Sequence, residues 1–191
     1  MGARPQHRDN LVHTAARLFR QRGYAATGVN DILKEAGAPK GSFYHYFPGG
    51  KEELGAAAIR HAGALVTGTL ERLALAHGRP GDTLRAYGVL LAGWLADSEY
   101  RDGCPLATTV LEVTPQSAPI TAAAEEAYDR WRGTLAAIIA PEDAHSAAAL
   151  RLASLTVSAL EGALIQARVA RNPAPIREAC DQLAGLIDTD R

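Results

Sequence analysis

Cysteine is scarce in this 191-residue chain. Cys104 and Cys180 lie far apart and outside any Cys-x-x-Cys pairing, so neither a disulfide framework nor a thiolate zinc site is expected. Both read as small buried hydrophobes. No apolar run approaches the roughly 18 residues of a membrane-spanning helix, and residues 1–10 are polar, without the apolar core of a signal peptide. A cytoplasmic protein is therefore expected. Proline occupies only 10 positions, and hydrophobic residues make up 47% against 21% charged, which excludes a disordered or fibrous chain. Catalytic signatures are missing as well. Gly49-Gly50-Lys51 is like the end of a phosphate loop, but Glu52 stands where Ser or Thr must hold magnesium, and His45 stands where a glycine is required. There is no Gly-x-Ser-x-Gly elbow, and the six histidines never form a His-x-x-x-His pair. No enzymatic activity, metal or cofactor is expected.

What is present is an uneven distribution of charge. Up to Lys51 there are 8 Lys/Arg against 3 Asp/Glu (+5), and beyond it 12 against 18 (−6), within a net charge of −1. A basic N-terminal segment on an acidic body fits a chain whose one end meets a polyanion, although chance clustering gives the same count.

Apolar residues recur at helical spacing almost throughout, so the fold class is all-α. The first helix carries Leu11, Ala15, Leu18 and Phe19 on one face and stops at Gly23. Thr27 is the expected N-cap of a second helix bearing Ile32, Leu33 and Ala36, which Gly37 ends. A very short third helix is expected from Pro39 to Tyr46. A long helix from Lys51 to about Ala76 presents Leu54, Ala58, Ala62, Leu65, Leu70 and Leu73. Asp82 is the expected cap of the next, which carries Leu84, Tyr87, Leu91, Trp94 and Leu95. Further helices are expected from Pro105 to Val113, from Ile120 to before Pro141, from Ser146 to Ala170, and over the seam of Ile176, Cys180, Leu183 and Ile187. The expected domains are a helix-turn-helix DNA-binding unit over residues 1–50 and a helical ligand-binding and dimerisation domain over 51–191.

The third helix holds the most informative chemistry. Lys40 and Lys51 can neutralise phosphates, Tyr44 and His45 can donate to phosphate oxygens, and Gly41 allows close backbone approach to DNA, while Phe43 and Phe47 read as core anchors. Three short helices inside a basic segment describe a helix-turn-helix whose last member enters the major groove.

Gly23-Tyr24, Thr27, Asp31-Ile32, Ala36-Gly37, Lys40-Gly41, Phe43-Tyr44, Tyr46-Phe47 and Lys51-Glu52 with Leu54 follow in order the N-terminal signature of the TetR family of repressors, which the chain resembles from about Leu11 to Leu54. The resemblance implies that Thr27, Lys40, Tyr44, His45 and Lys51 touch phosphates and that Gly41 and Ser42 lie nearest the bases. It departs from the family at Pro39, where most members have Ser or Thr, and in having three residues, Pro48, Gly49 and Gly50, where members usually have two. That extra residue, with Gly103-Cys104-Pro105-Leu106, is similar to the LmrA/YxaF-like branch, some of whose members respond to flavonoids.

The C-terminal residues carry two further expectations. Tyr87, Trp94, Tyr128 and Trp131, with polar Thr109, Glu112, Ser158 and Glu161, can line a pocket for an apolar or aromatic inducer, or the aromatics can be plain core. Small residues Ser154, Ser158 and Gly162, and the seam of Ile176 and Leu183, can pair two copies as a homodimer, or bury against their own chain. The expected function is a DNA-binding repressor released from operator DNA by a small molecule. The alternative is a DNA-binding regulator with no inducer, an activator or partner-regulated adaptor.

Overall fold

Short helices do not persist alone in water, because nucleating a turn fixes several dihedrals for one hydrogen bond. Those at the start of this chain are held by a shared apolar core. The computed structural model describes residues 4–189, and no strand occurs among them. Helix α1 (Arg4–Arg22) lays Leu11, Ala15, Leu18 and Phe19 against α2 (Val29–Ala36) and α3 (Lys40–Tyr46), and all four side chains are at most 1% exposed. Ile32 of α2, Phe43 of α3 and the adjacent Phe47 fill the centre. Burying each such side chain contributes about 1.5–3 kcal/mol. Arg17 of α1 also pairs with Glu35 of α2 at 2.9 Å.

The loop after α1 is more elaborate than its sequence shows. Gly23 adopts the left-handed conformation expected of a C-cap, with φ +84°. Thr27 does not cap α2. Gly28 is the N-cap, its amide donating to Asp31 Oδ2 at 3.0 Å, while the fully buried Thr27 hydroxyl donates back to the Gly23 carbonyl at 2.7 Å. Pro39 lies just outside α3 as its N-cap, and no side chain caps that helix.

The chain divides into two compact units at places other than residue 50. One comprises the residues up to Ala64 together with Cys104–Ala127, so α6 (Pro105–Val113), which packs on α1, belongs with the head. Helices α4 (Gly50–His77) and α7 (Ala118–Ile139) contribute residues to both units. Within the first, Arg60 of α4 makes a two-pronged pair with Glu126 of α7 at 2.7 and 3.1 Å. The rings of His13 and His61 stack with centroids 4.3 Å apart. Burial, then the His13 charge, lower the His61 pKa against the opposing pull of Asp9.

The second unit is built around α9 (Ala174–Thr189), which packs on both α5 (Pro80–Asp97) and α8 (Ala147–Ala170). Of the two readings open for the seam, burial against its own chain fits the structure: Ile176, Cys180, Leu183 and Ile187 are all buried within the unit. An amphipathic stripe states that a helix needs a partner, and this one finds it in its own chain. Asp82 does not cap α5 either. Pro80 occupies the first turn, and Asp82 instead pairs with Arg85, which also approaches Asp181 and Asp188 of α9. Leu65 is 59% exposed rather than buried, and Leu73 is half-buried. Ser146 caps α8 by accepting from the Ala149 amide.

The α5 to α9 contact requires a glycine. A Cβ at Gly88 would overlap Cys180 Sγ and lie 2.9 Å from Cys180 Cβ, so the backbones can approach only without a side chain there. Gly88→Ala should therefore destabilise the protein by about 1–3 kcal/mol, as overpacking a filled core does. Urea unfolding should show a lower midpoint, and an unchanged midpoint would mean that α5 and α9 yield more easily than this geometry allows.

Candidate DNA interface

Helix α3 sorts its seven residues by chemistry. Phe43 points into the core, its ring 5.9 Å from that of Phe47, which anchors the helix from its C-terminal side. Lys40, Gly41, Tyr44 and His45 are exposed, and Ser42 is half-buried beside them. Five of the seven residues expected to meet DNA are thus brought together on one short helix. A Cβ at Gly41 would meet nothing within 4 Å, so the backbone there is open to a close approach. Tyr44 is 54% exposed, and its ring packs edge-on to that of Phe43 with centroids 5.0 Å apart.

The remaining two residues are not with them. Thr27 is fully buried, and its hydroxyl is committed to the Gly23 carbonyl. Lys51 is half-buried: its ammonium donates to the Tyr24 carbonyl at 2.7 Å and sits 4.1 Å from the centre of the Tyr24 ring. Burial lowers the Lys51 pKa, partly offset by the Glu112 carboxylate, and burial with the Glu52 charge pushes Tyr24 up to about 12. The Pro48-Gly49-Gly50 stretch brings Lys51 to this inward position. Gly50 bonds back to the Phe47 carbonyl at 2.9 Å with φ +74°, and the Gly49 amide donates to Glu53.

The residues expected to form a ligand pocket fall into different units. Thr109 and Glu112 belong to the first. Thr109 is fully buried and donates to the Pro105 carbonyl within its own helix, and Glu112 accepts a hydrogen bond from the Ala25 amide at 2.5 Å. Tyr87, Trp94, Tyr128, Trp131, Ser158 and Glu161 belong to the second. Of these, Tyr128 and Trp131 meet edge to face at 5.4 Å, and Tyr87 and Trp131 are buried. Trp94 is 44% exposed and Ser158 is exposed, whereas Glu161 is half-buried. An open cavity of about 540 Å³ does occur in this unit, at the turn between α7 and α8, with Ile139, Glu142, Leu152 and Ile187 in its wall. None of the expected pocket residues lines it. Sequence reasoning missed this cavity because the turn residues that form it carry no helical periodicity.

Residues 11–58 match the model of the bacterial regulatory proteins of the tetR family, and residues 80–182 match the C-terminal domain of LmrA/YxaF-like transcriptional regulators. The HTH-type transcriptional regulator YxaF of Bacillus subtilis is 29% identical over 187 residues, covering 98% of both chains. A regulator of the same type from Mycobacterium tuberculosis is 35% identical over 193 residues, with 94% of this chain and 93% of the relative covered. The transcriptional repressor NemR of Escherichia coli is 29% identical over 191 residues, 95% of this chain and 94% of its own. The crystal structure of its reduced form superposes with a TM-score of 0.78 at 26% identity, covering 93% of this chain and 95% of that one. With an exposed recognition helix on an apolar three-helix core and both parts of the chain matched, this protein belongs to the TetR family of helix-turn-helix transcriptional regulators, in its LmrA/YxaF-like branch.

Proposed function

We propose that this chain is a cytoplasmic, homodimeric repressor that grips operator DNA with α3 and lets go when a small apolar or aromatic molecule binds its second unit. The observation that carries the DNA-binding half is the exposed set of Lys40, Gly41, Tyr44 and His45 on a helix fixed from behind by Phe43. Lys40, Tyr44 and His45 position the helix on phosphates, while Gly41 and Ser42 meet base edges. Lys51 and Thr27 serve the head from within, as braces of its first loop. Repression in particular is supported by NemR, which is named a repressor.

Dimerisation is supported by α8. This helix is long and apolar enough to cross a membrane by length and composition, against the sequence expectation that no such run exists. Its ends lie in polar turns, and α9 packs along one side of it. Even so, Leu155, Ile165 and Val169 are 50, 53 and 81% exposed, at heptad-like spacing with Ser158 and Gly162, and a Cβ at Gly162 would meet nothing within 4 Å. A second copy crossing there buries that face. It also gives the operator two half-sites about one DNA turn apart.

Release rests on the aromatic pair Tyr128 and Trp131. A ligand that favours the DNA-incompetent arrangement by about 1–3 kcal/mol lowers operator affinity roughly 5- to 150-fold. A regulator without an inducer is the second reading. It is favoured by Thr109 and Glu112, two polar groups expected in a pocket that are instead engaged inside the first unit.

Lys40→Ala and Tyr44→Phe should each weaken binding to operator duplex, and each lost phosphate contact should flatten the dependence of log affinity on log salt by about one unit. Normal binding by the double variant would refute the reading of α3. Light scattering should give twice the 20.2 kDa chain mass, falling to one chain mass in Ile165→Asp. A single-chain mass for the unaltered protein counts against the dimer. Aromatic compounds that bind the protein should lower operator affinity, with weaker effect in Trp131→Ala; binding that never changes operator affinity favours the regulator without an inducer.

A further inference from the structure

The loop between α1 and α2 is held from outside the helix-turn-helix at two points. Lys51 of α4 reaches the Tyr24 carbonyl at 2.7 Å. Glu112 of α6, 87 residues away in sequence, accepts from the Ala25 amide at 2.5 Å. The other oxygen of the same carboxylate lies where a Cβ at Gly23 would sit, beside a backbone whose φ of +84° already favours glycine. The Glu112 charge also acts on the Lys51 ammonium, and the two braces therefore reinforce each other electrostatically. Hydrogen bonds to an ionised acceptor are about twice as strong as neutral ones.

The loop matters because it leads directly into the DNA-reading helices. Gly28 begins α2, α2 packs on α3, and α3 carries the exposed residues that meet DNA. The core of Phe19, Ile32, Phe43 and Phe47 holds the three short helices together. A carboxylate bonded to a loop amide adds a directional polar tie at the mouth of α2.

We propose that Glu112 is a positioning residue for operator recognition: through its bond to the Ala25 amide, α6 fixes the loop before α2 and thereby the angle at which α3 presents Lys40 and Tyr44. Glu112 acts through the loop amide, and its carboxylate supplies no cation to a phosphate. The inference rests on the DNA-binding reading of α3 and assigns α6 a part in it.

The test uses the full chain and a duplex selected from a random pool by the unaltered protein. Glu112→Gln keeps the reach and an acceptor oxygen while losing the charge, and Glu112→Asp keeps the charge while falling a methylene short. Glu112→Ala loses both. Operator affinity should fall roughly 3- to 30-fold in the Asp and Ala variants and by less in the Gln variant, which keeps the acceptor without its charge. The salt slope should stay constant throughout, because no phosphate contact is lost. Hydrogen exchange at the Ala25 amide should quicken in the Asp and Ala variants alone. Affinity within twofold of the unaltered protein in Glu112→Ala overturns the inference, as does a Gln variant as weak as Ala. If the unaltered chain selects no duplex, the DNA-binding reading has failed instead. An Ala25 amide exchanging equally in all four proteins overturns the role of Glu112 whatever the DNA does.

Discussion

The burial of Phe43 and Phe47 against the apolar stripe of α1 is the constraint on which the reading head depends. A seven-residue helix has too few internal hydrogen bonds to persist unaided. It exists because one side chain per turn is driven out of water onto Leu11, Leu18, Phe19 and Ile32. The same act determines what is left outside. Once Phe43 points inward, the helical period projects Lys40, Tyr44 and His45 away from the core, and Gly41 between them leaves the backbone bare. The exposed polar side chains and the folding energy are thus two faces of one helix.

Much of this was legible in the sequence because it is local. The bounds of α6 from Pro105 to Val113 and the ends at Gly23 and Gly37 derive from proline and glycine geometry, which needs no tertiary partner. The signature around α3 likewise reads out its own placement. Residues whose partners lie far along the chain were not legible. Glu112 looks like any acid on an apolar helix, and only the fold shows that its partner is the backbone of Ala25. Thr27 has the composition of a cap and the geometry of an internal donor. The α9 seam displays its period plainly and says nothing about which surface it meets, so Ile176 and Leu183 were open to two readings until α5 and α8 closed over them.

Helix α8 shows the opposite case. Its composition is more apolar than its own chain can use, and the surplus is gathered on one side around Leu155, Ile165 and Val169. Isolated apolar side chains on a surface need no explanation, whereas a contiguous row along a helix does. Amphipathicity here is divided: one edge of the helix serves the interior of the chain, and the other keeps its apolar row exposed.

The two buried thiols give the molecule a pair of internal reporters. Cys104 lies in the first compact unit and Cys180 in the second, and both are buried. Burial, with the neighbouring Asp181 charge, pushes the Cys180 thiol up to about 11, so hardly any nucleophilic thiolate exists there at neutral pH while the unit stays closed. Alkylation at each position is consequently gated by local opening of its own surroundings. A chain with so little sulfur therefore carries one clock in each unit, and the two alkylation rates report the local opening of each unit separately.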